Sequence, residues 1–223
     1  MEKIQIAIDG PAGAGKSTVA REVAAALDYL YIDTGAMYRA LTYVALDKQL
    51  NLDDGGALKS LLMNTSIELV QVKDEEQKVF VNGLDISRDI RTHAVTNHVS
   101  TVSAHKEVRE EMVHRQRLLA EDGGVVMDGR DIGTHVLTEA ELKVFLSASV
   151  HVRAERRYQQ LKEKGIDASL DQIKMEIERR DKLDSERETS PLEKAPDAYE
   201  IDTTNLTISQ VVSTILGLVE ARK

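Results

Sequence analysis

Residues 6–20 read IAIDGPAGAGKSTVA. A short apolar run, Ile6 to Ile8, gives way to Gly10, Gly13, Ala14 and Gly15, and a helix-forming stretch opens at Lys16. Small residues surrender side-chain packing, so a chain that places four of them between a strand and a helix needs bare backbone there. The pattern Gly10-x-x-x-x-Gly15-Lys16-Ser17 meets that need, because peptide N–H groups can turn inward around a phosphate at the positive end of the following helix. From average composition the pattern arises by chance in roughly 1% of chains of this length, and here it also stands between strand and helix patterns as its chemistry demands.

On this reading Gly10, Pro11, Ala12, Gly13, Ala14, Gly15, Lys16, Ser17 and Thr18 form an ATP-phosphate site. Lys16 reaches the β- and γ-phosphates, and the Ser17 hydroxyl is the expected ligand of Mg2+ carried by the nucleotide. Such a loop identifies a phosphoryl donor and leaves the task open, since switches, motors and small-molecule kinases share it.

The 223 residues suit one large domain, or one domain with an insertion. Hydrophobic residues at 42% and charged residues at 30% supply an ordinary core and surface. There is no cysteine, hence no disulfide framework and no thiolate chemistry, which suits a reducing cytoplasm. No apolar run approaches the ~20 residues of a spanning helix, and MEKIQIAID enters a strand pattern without the shape of a signal peptide. The expectation is a cytoplasmic protein with no membrane partner. A net charge of -9 argues against polymeric nucleic acid, whereas grouped arginines in an acidic chain suit a small anion in a cleft.

Strand and helix patterns alternate along the chain. KIQIAID, YLYID, GGVVMDG, LKVFLSA and AYEIDTT read as short strands. KSTVAREVAAALDY, GAMYRALTYVALDKQL and LTISQVVSTILGLVEAR read as helices, the last opened by Thr207 and Gln210 at capping-box spacing. That alternation predicts a parallel sheet covered on both faces. Residues 66–87, SIELVQVKDEEQKVFVNGLDIS, break the rhythm: they alternate apolar and polar around a KDEEQK turn and predict antiparallel strands. A β-rich insertion over residues 62–102 follows.

Three further segments set arginine beside aspartate or glycine: IDTGAMYR with Asp33 and Arg39; VVMDGRDIGT with Asp128, Arg130 and Asp131; and ERRDKLDSERETSPL with Arg180, Asp184 and Arg187. Open α/β sheets bind ligands at strand C-termini, where the first two segments fall, and the arginine fork suits phosphate oxygens. The third segment reads equally well as a solvated charged helix. The six histidines show no i, i+4 pair of the kind that holds zinc on a helix.

In combination, GPAGAGKST, IDTGAMYRALT, GRDIGT and RRDKLDSERETSPLEKAPDAYEIDTT resemble the bacterial cytidylate kinases over nearly the whole chain. The resemblance implies an α/β P-loop kinase fold across residues 1–223: a five-stranded parallel sheet flanked by helices, with an acceptor-binding insert at 62–102 and a short lid at 153–168. It implies transfer of the ATP γ-phosphoryl group to CMP or dCMP by a monomer. By position, Thr34, Arg109 and Asp131 look like the cytosine-reading group; Arg39, Arg130 and Arg187 like clamps on the acceptor phosphate; and Ser100, Arg180 and Asp184 like sugar contacts. Lys16, Arg130, Arg157 and Arg187 are the implied catalytic residues, and Arg153, Arg156 and Arg157 fall where a mobile lid would lie. Two rivals stand beside this reading. One is a P-loop kinase for UMP or a non-nucleotide metabolite; the other is a nucleotide-dependent switch, for which no guanine-reading NKxD motif is visible.

Overall fold

The computed structural model describes residues 3–72, 77–163 and 165–222. Five strands form one parallel sheet: β1 (Gln5–Asp9), β2 (Leu30–Asp33), β6 (Val125–Gly129), β7 (Leu142–Ser147) and β8 (Tyr199–Asp202). Their order is β2-β6-β1-β7-β8, so the first strand is central. Each comes from a segment that reads as a strand in the sequence. The inner strands β6, β1 and β7 are apolar runs rather than alternating ones because both faces are covered, as in Val125–Met127, all fully buried, whereas the edge strand β8 buries only Ile201.

The two faces of β1 lead to different cores. Ile6 and Ile8 pack with Val19 and Val23 of α1 (Lys16–Leu27) and Val211 and Ile215 of α8 (Ile208–Glu220). Ala7 looks the other way, toward Met127, Ile132 and Val136. Outside that second face lies a helical layer of α2 (Thr34–Asp47), α3 (Gly55–Met63), α4 (His93–Ala104) and α5 (Lys106–Leu119), closed by Leu41, Leu58, Val102 and Met112. The capping box of α8 is present, with Gln210 N donating to Thr207 Oγ1 at 3.3 Å and Thr207 N to Gln210 Oε1 at 2.9 Å.

A separate antiparallel sheet of β3 (Ile67–Val70), β4 (Lys78–Val81) and β5 (Leu84–Asp85) interrupts the α/β order. Alternate residues Val79 and Val81 turn onto Ala36 and Ala40 of α2. Most of the expected KDEEQK turn, residues 73–76, lies outside the described residues. The 62–102 stretch is less β-rich than its sequence implies, because a 3-10 turn (Asp89–Arg91) and most of α4 fill its second half. Gln77 fastens this sheet to the parallel one: its Nε2 donates to Tyr31 O at 2.6 Å.

The charged stretch near 178–192 is half helix and half turn. Helices α6 (Val150–Glu163) and α7 (Leu170–Glu186) form an antiparallel pair closed by Ala154, Ile173 and Ile177. Helix α7 carries Arg180 and Asp184 and ends one residue before Arg187, where the chain folds back so that Leu192 N donates to Asp184 O at 2.8 Å. The neighbouring strands β1, β2 and β6 all finish with or near an aspartate, Asp9, Asp33 and Asp128, with Asp33 and Asp128 in register. The site is built at this edge.

Candidate active site

The donor loop closes tightly after β1. Gly10 has φ +143°, and a Cβ there would sit 2.0 Å from the Leu146 carbonyl oxygen of β7, so only glycine fits. Gly15, at φ +92°, leads into α1 and leaves the first N–H groups of that helix facing the loop. Lys16 is buried and its Nζ donates to Pro11 O across the loop at 2.7 Å. Burial draws its ammonium down from the ordinary lysine value, aided by Arg130.

Behind the loop, Asp128 at the end of β6 is surrounded by donors. Ser17 Oγ donates to its Oδ2 and Tyr31 Oη to its Oδ1, each at 2.9 Å. Burial, then the charge of Asp33, pushes this carboxyl up from the usual range. A buried carboxylate beside a second one is a place for a cation. Asp9 is also buried and pushed up to about 6 by that burial, although the backbone N–H groups of Gly133 and Ile132 oppose the shift.

A cleft opens beside this cluster. It is lined by Thr34, Gly35, Tyr38 and Arg39 from α2, Val99, Ser100 and Ser103 from α4, Gly129 to Asp131 after β6, and Arg180, Asp184 and Arg187 from α7 and its end. Asp184 anchors one wall: Arg130 Nε donates to its Oδ2 at 3.0 Å and Ser100 Oγ to its Oδ1 at 3.2 Å. Burial works to raise this carboxyl, but Arg130, Arg180 and Arg187 together hold it below the usual carboxylate range. At the other end, Arg109 stacks over Tyr38, its guanidinium carbon 5.4 Å from the ring centre, and donates through Nη2 to Asp131 Oδ2. Arg187 Nη2 stands 3.7 Å from Asp131 Oδ1 and has no hydrogen-bond partner among the described residues. Arg39 is drawn down to about 10 by burial and by Arg180, a sign of cations gathered without enough anion.

Nearly all residues singled out in the sequence therefore meet in two adjoining places, the loop and the cleft. Thr34 lines the cleft while its Oγ1 donates to Asp128 O at 2.7 Å. The three arginines expected in a lid are the exception. Arg153 is buried at 3% exposure and brackets three segments: Nε donates to Ala148 O, Nη1 to Ala12 O, and both terminal nitrogens to Asp181 of α7. Arg156 donates to Thr203 O at 2.6 Å. Arg157 does not line the cleft and is half-buried on α6, within electrostatic reach of Arg180. The resemblance groups these three by position; here Arg153 and Arg156 tie α6 to backbone carbonyls and, through Arg153, to the Asp181 carboxylate.

The family model described as cytidylate kinase matches residues 6–221. The chain belongs to the cytidylate kinase family. The cytidylate kinase of Bacillus subtilis (strain 168) is 59% identical over 221 residues, covering 99% of this chain and 98% of its own length. That of Bacillus thuringiensis (strain Al Hakam) is 58% identical over 218 residues, covering 98% and 96%. Among solved structures, an uncharacterized protein from Eubacterium ventriosum ATCC 27560 aligns with a TM-score of 0.51 at 12% identity over 98% of this chain and 99% of that one, a likeness of fold alone.

Within this member of the cytidylate kinase family, Tyr38, Asp9 and Tyr31 escape the sequence reading. Tyr38 and Tyr31 are read only as parts of a helix pattern and a strand pattern, and Asp9 only as the end of the first strand. The one available signal is that three adjacent strands end at or next to an aspartate, more carboxylate than a strand edge needs.

Proposed function

We infer that the chain transfers the γ-phosphoryl group of ATP to CMP or dCMP, giving ADP and the nucleoside diphosphate. One observation carries the reading: a phosphate loop adjoins an arginine-lined cleft whose far end holds a single buried carboxylate, Asp131, between Arg109 and Arg187. The loop supplies the donor site and the cleft an acceptor site with a phosphate end and a base end.

The chemistry needs no dedicated base. A monophosphate loses its second proton near pH ~6, so the attacking oxygen is already largely anionic at pH 7. The difficulty lies in bringing two anions together. Arg39, Arg130 and Arg187 neutralise the acceptor phosphate and aim it, while Lys16 leaves Pro11 O for the donor phosphates. Positioning and charge stabilisation of this kind account for most of the catalysis of phosphoryl transfer, a well-placed arginine being worth on the order of 10³-fold in rate. Arg157 would join from α6 if the α6–α7 pair closes as a lid over residues 153–168, excluding water that could otherwise take the phosphoryl group.

The acidic neighbourhood of Ser17 and Asp128 fits a magnesium ion. Among the described residues no cluster of three or more carboxylates, histidines or cysteines could hold a metal alone, and magnesium in such sites relies on one or two protein groups plus substrate phosphates. Bound there, the ion would neutralise charge on the β- and γ-oxygens. At the base end Asp131 accepts from the exocyclic amino group of cytosine, whereas uracil presents a carbonyl oxygen to the same anion. Among the described residues no helix is long and apolar enough to cross a membrane; we place the protein in the cytoplasm, as a monomer.

The deciding experiment is ADP production from Mg·ATP with CMP, dCMP, UMP, AMP and GMP supplied singly. Turnover concentrated in CMP and dCMP is the expected result. Turnover with another acceptor would keep the kinase and discard Asp131 as base reader; none with any acceptor would favour a nucleotide switch.

A further inference from the structure

Asp131 stands where an aspartate ordinarily uses its own side chain. It is the N-cap of a helical turn at Ile132–Val136, and the first N–H groups of that turn have no carbonyl within it to bond. An aspartate at an N-cap commonly bends its carboxylate back onto such donors. This one makes no capping bond. The donors go to Asp9 instead: Ile132 N donates to Asp9 Oδ1 at 2.8 Å and Gly133 N to Oδ2 at 2.7 Å. Asp9 is 4% exposed and is the last residue of β1, the middle strand of the sheet, so its backbone is anchored by the ladder on either side.

We propose that Asp9 is a positioning residue for the choice of acceptor base: by capping the 132–136 turn from another strand it releases the Asp131 carboxylate to face the cleft. The proposal rests on the reading of Asp131 as the cytosine-facing group. Both oxygens of Asp9 are occupied by backbone, and both oxygens of Asp131 are left to the guanidinium groups of Arg109 and Arg187 and to the acceptor. Without the acceptor pair on Asp9, a buried N–H is orphaned, and the carboxylate one residue before the turn is drawn back to satisfy it. Base selection is then lost although Asp131 is still present.

The test compares Asp9→Asn and Asp131→Asn in steady-state kinetics with saturating Mg·ATP and either CMP or UMP. Asparagine keeps the size of Asp9 but turns an amide donor onto one of the two N–H groups. The expected result is a CMP-to-UMP ratio of kcat/KM reduced about tenfold, the worth of one buried hydrogen bond, through a raised KM for CMP and with KM for ATP changed less. A purely structural role would slow CMP and UMP alike and leave the ratio untouched. A ratio lowered by Asp131→Asn but not by Asp9→Asn overturns the proposal while Asp131 stands as base reader. A ratio unmoved by Asp131→Asn overturns the base reading and the proposal with it. Should Asp9→Asn fail to fold, Asp9→Ser decides: a hydroxyl in place of the carboxylate leaves at most one acceptor for the N–H groups of Ile132 and Gly133. A lowered ratio there supports the proposal, and an unchanged one overturns it.

Discussion

Individual residues in this molecule act chiefly by where they hold charge. Asp184 is the carboxylate around which three guanidinium groups gather, and its folded pKa lies below the ordinary 3.8 once those groups outweigh burial. A carboxylate depressed in this way stabilises the fold above its unfolded pKa, and that contribution is lost as pH falls through the folded value. Asp184→Asn leaves the arginines uncompensated and should destabilise by about 3 kcal/mol at pH 7. Urea denaturation checks this, and the gap from wild type should narrow below pH 3.8 as the native carboxyl takes up the same proton. A gap independent of pH would mean that Asp184 acts by packing alone. Gly10→Ala is a second case, since its methyl would collide with the Leu146 carbonyl in a φ region alien to alanine. We expect a loss of about 3 kcal/mol or more in denaturant midpoint experiments. A residue whose reason is backbone shape, like Gly10, is legible in a sequence. One whose reason is a partner 120 residues away, like Asp9 for the 132–136 turn, is not.

Between elements, the decisive bond runs through Arg153, which joins the glycine-rich loop at Ala12 to Asp181 on the helix that carries Arg180 and Asp184 to the wall of the cleft. Asp181→Asn halves that bracket. Because Asp181 is partly exposed, the expected cost is about 2 kcal/mol in denaturant titration. The functional sign is a raised KM for both substrates, whereas a simple surface pair would raise neither. All five parallel strands, the α1 and α8 helices and the α8 cap are readable from apolar runs and spacing, most plainly β1, β6 and β7, where burial on both faces leaves few other residues possible. The break between α4 and α5 at His105 and the α6–α7 pair are not: no proline marks either, and charged helices carry a weak apolar stripe. For the same reason Arg187 reads as part of a helix that in fact ends one residue earlier.

For the molecule as a whole, an acidic chain of net charge -9 lines one cleft with Arg39, Arg130, Arg180 and Arg187 against only Asp131 and Asp184, so the acceptor alone should bind there. CMP without ATP is expected to raise Tm by about 5 °C or more at a hundredfold excess over its Kd, and the shift should shrink with added salt. No shift would speak for a switch that ignores the acceptor. The strand order carries a further consequence, for birth rather than for catalysis. The strand that leads into the glycine-rich loop leaves the ribosome well before its neighbours, since both of its partners, β6 and β7, lie more than a hundred residues downstream. At ordinary synthesis rates this apolar segment waits on the order of 10 s for a neighbour, while α2 to α5 with their small sheet already have a core of their own to close. A strand made before its partners is thus among the last to take shape, and nascent chains stopped before Val125 should present it to chaperones rather than to nucleotide.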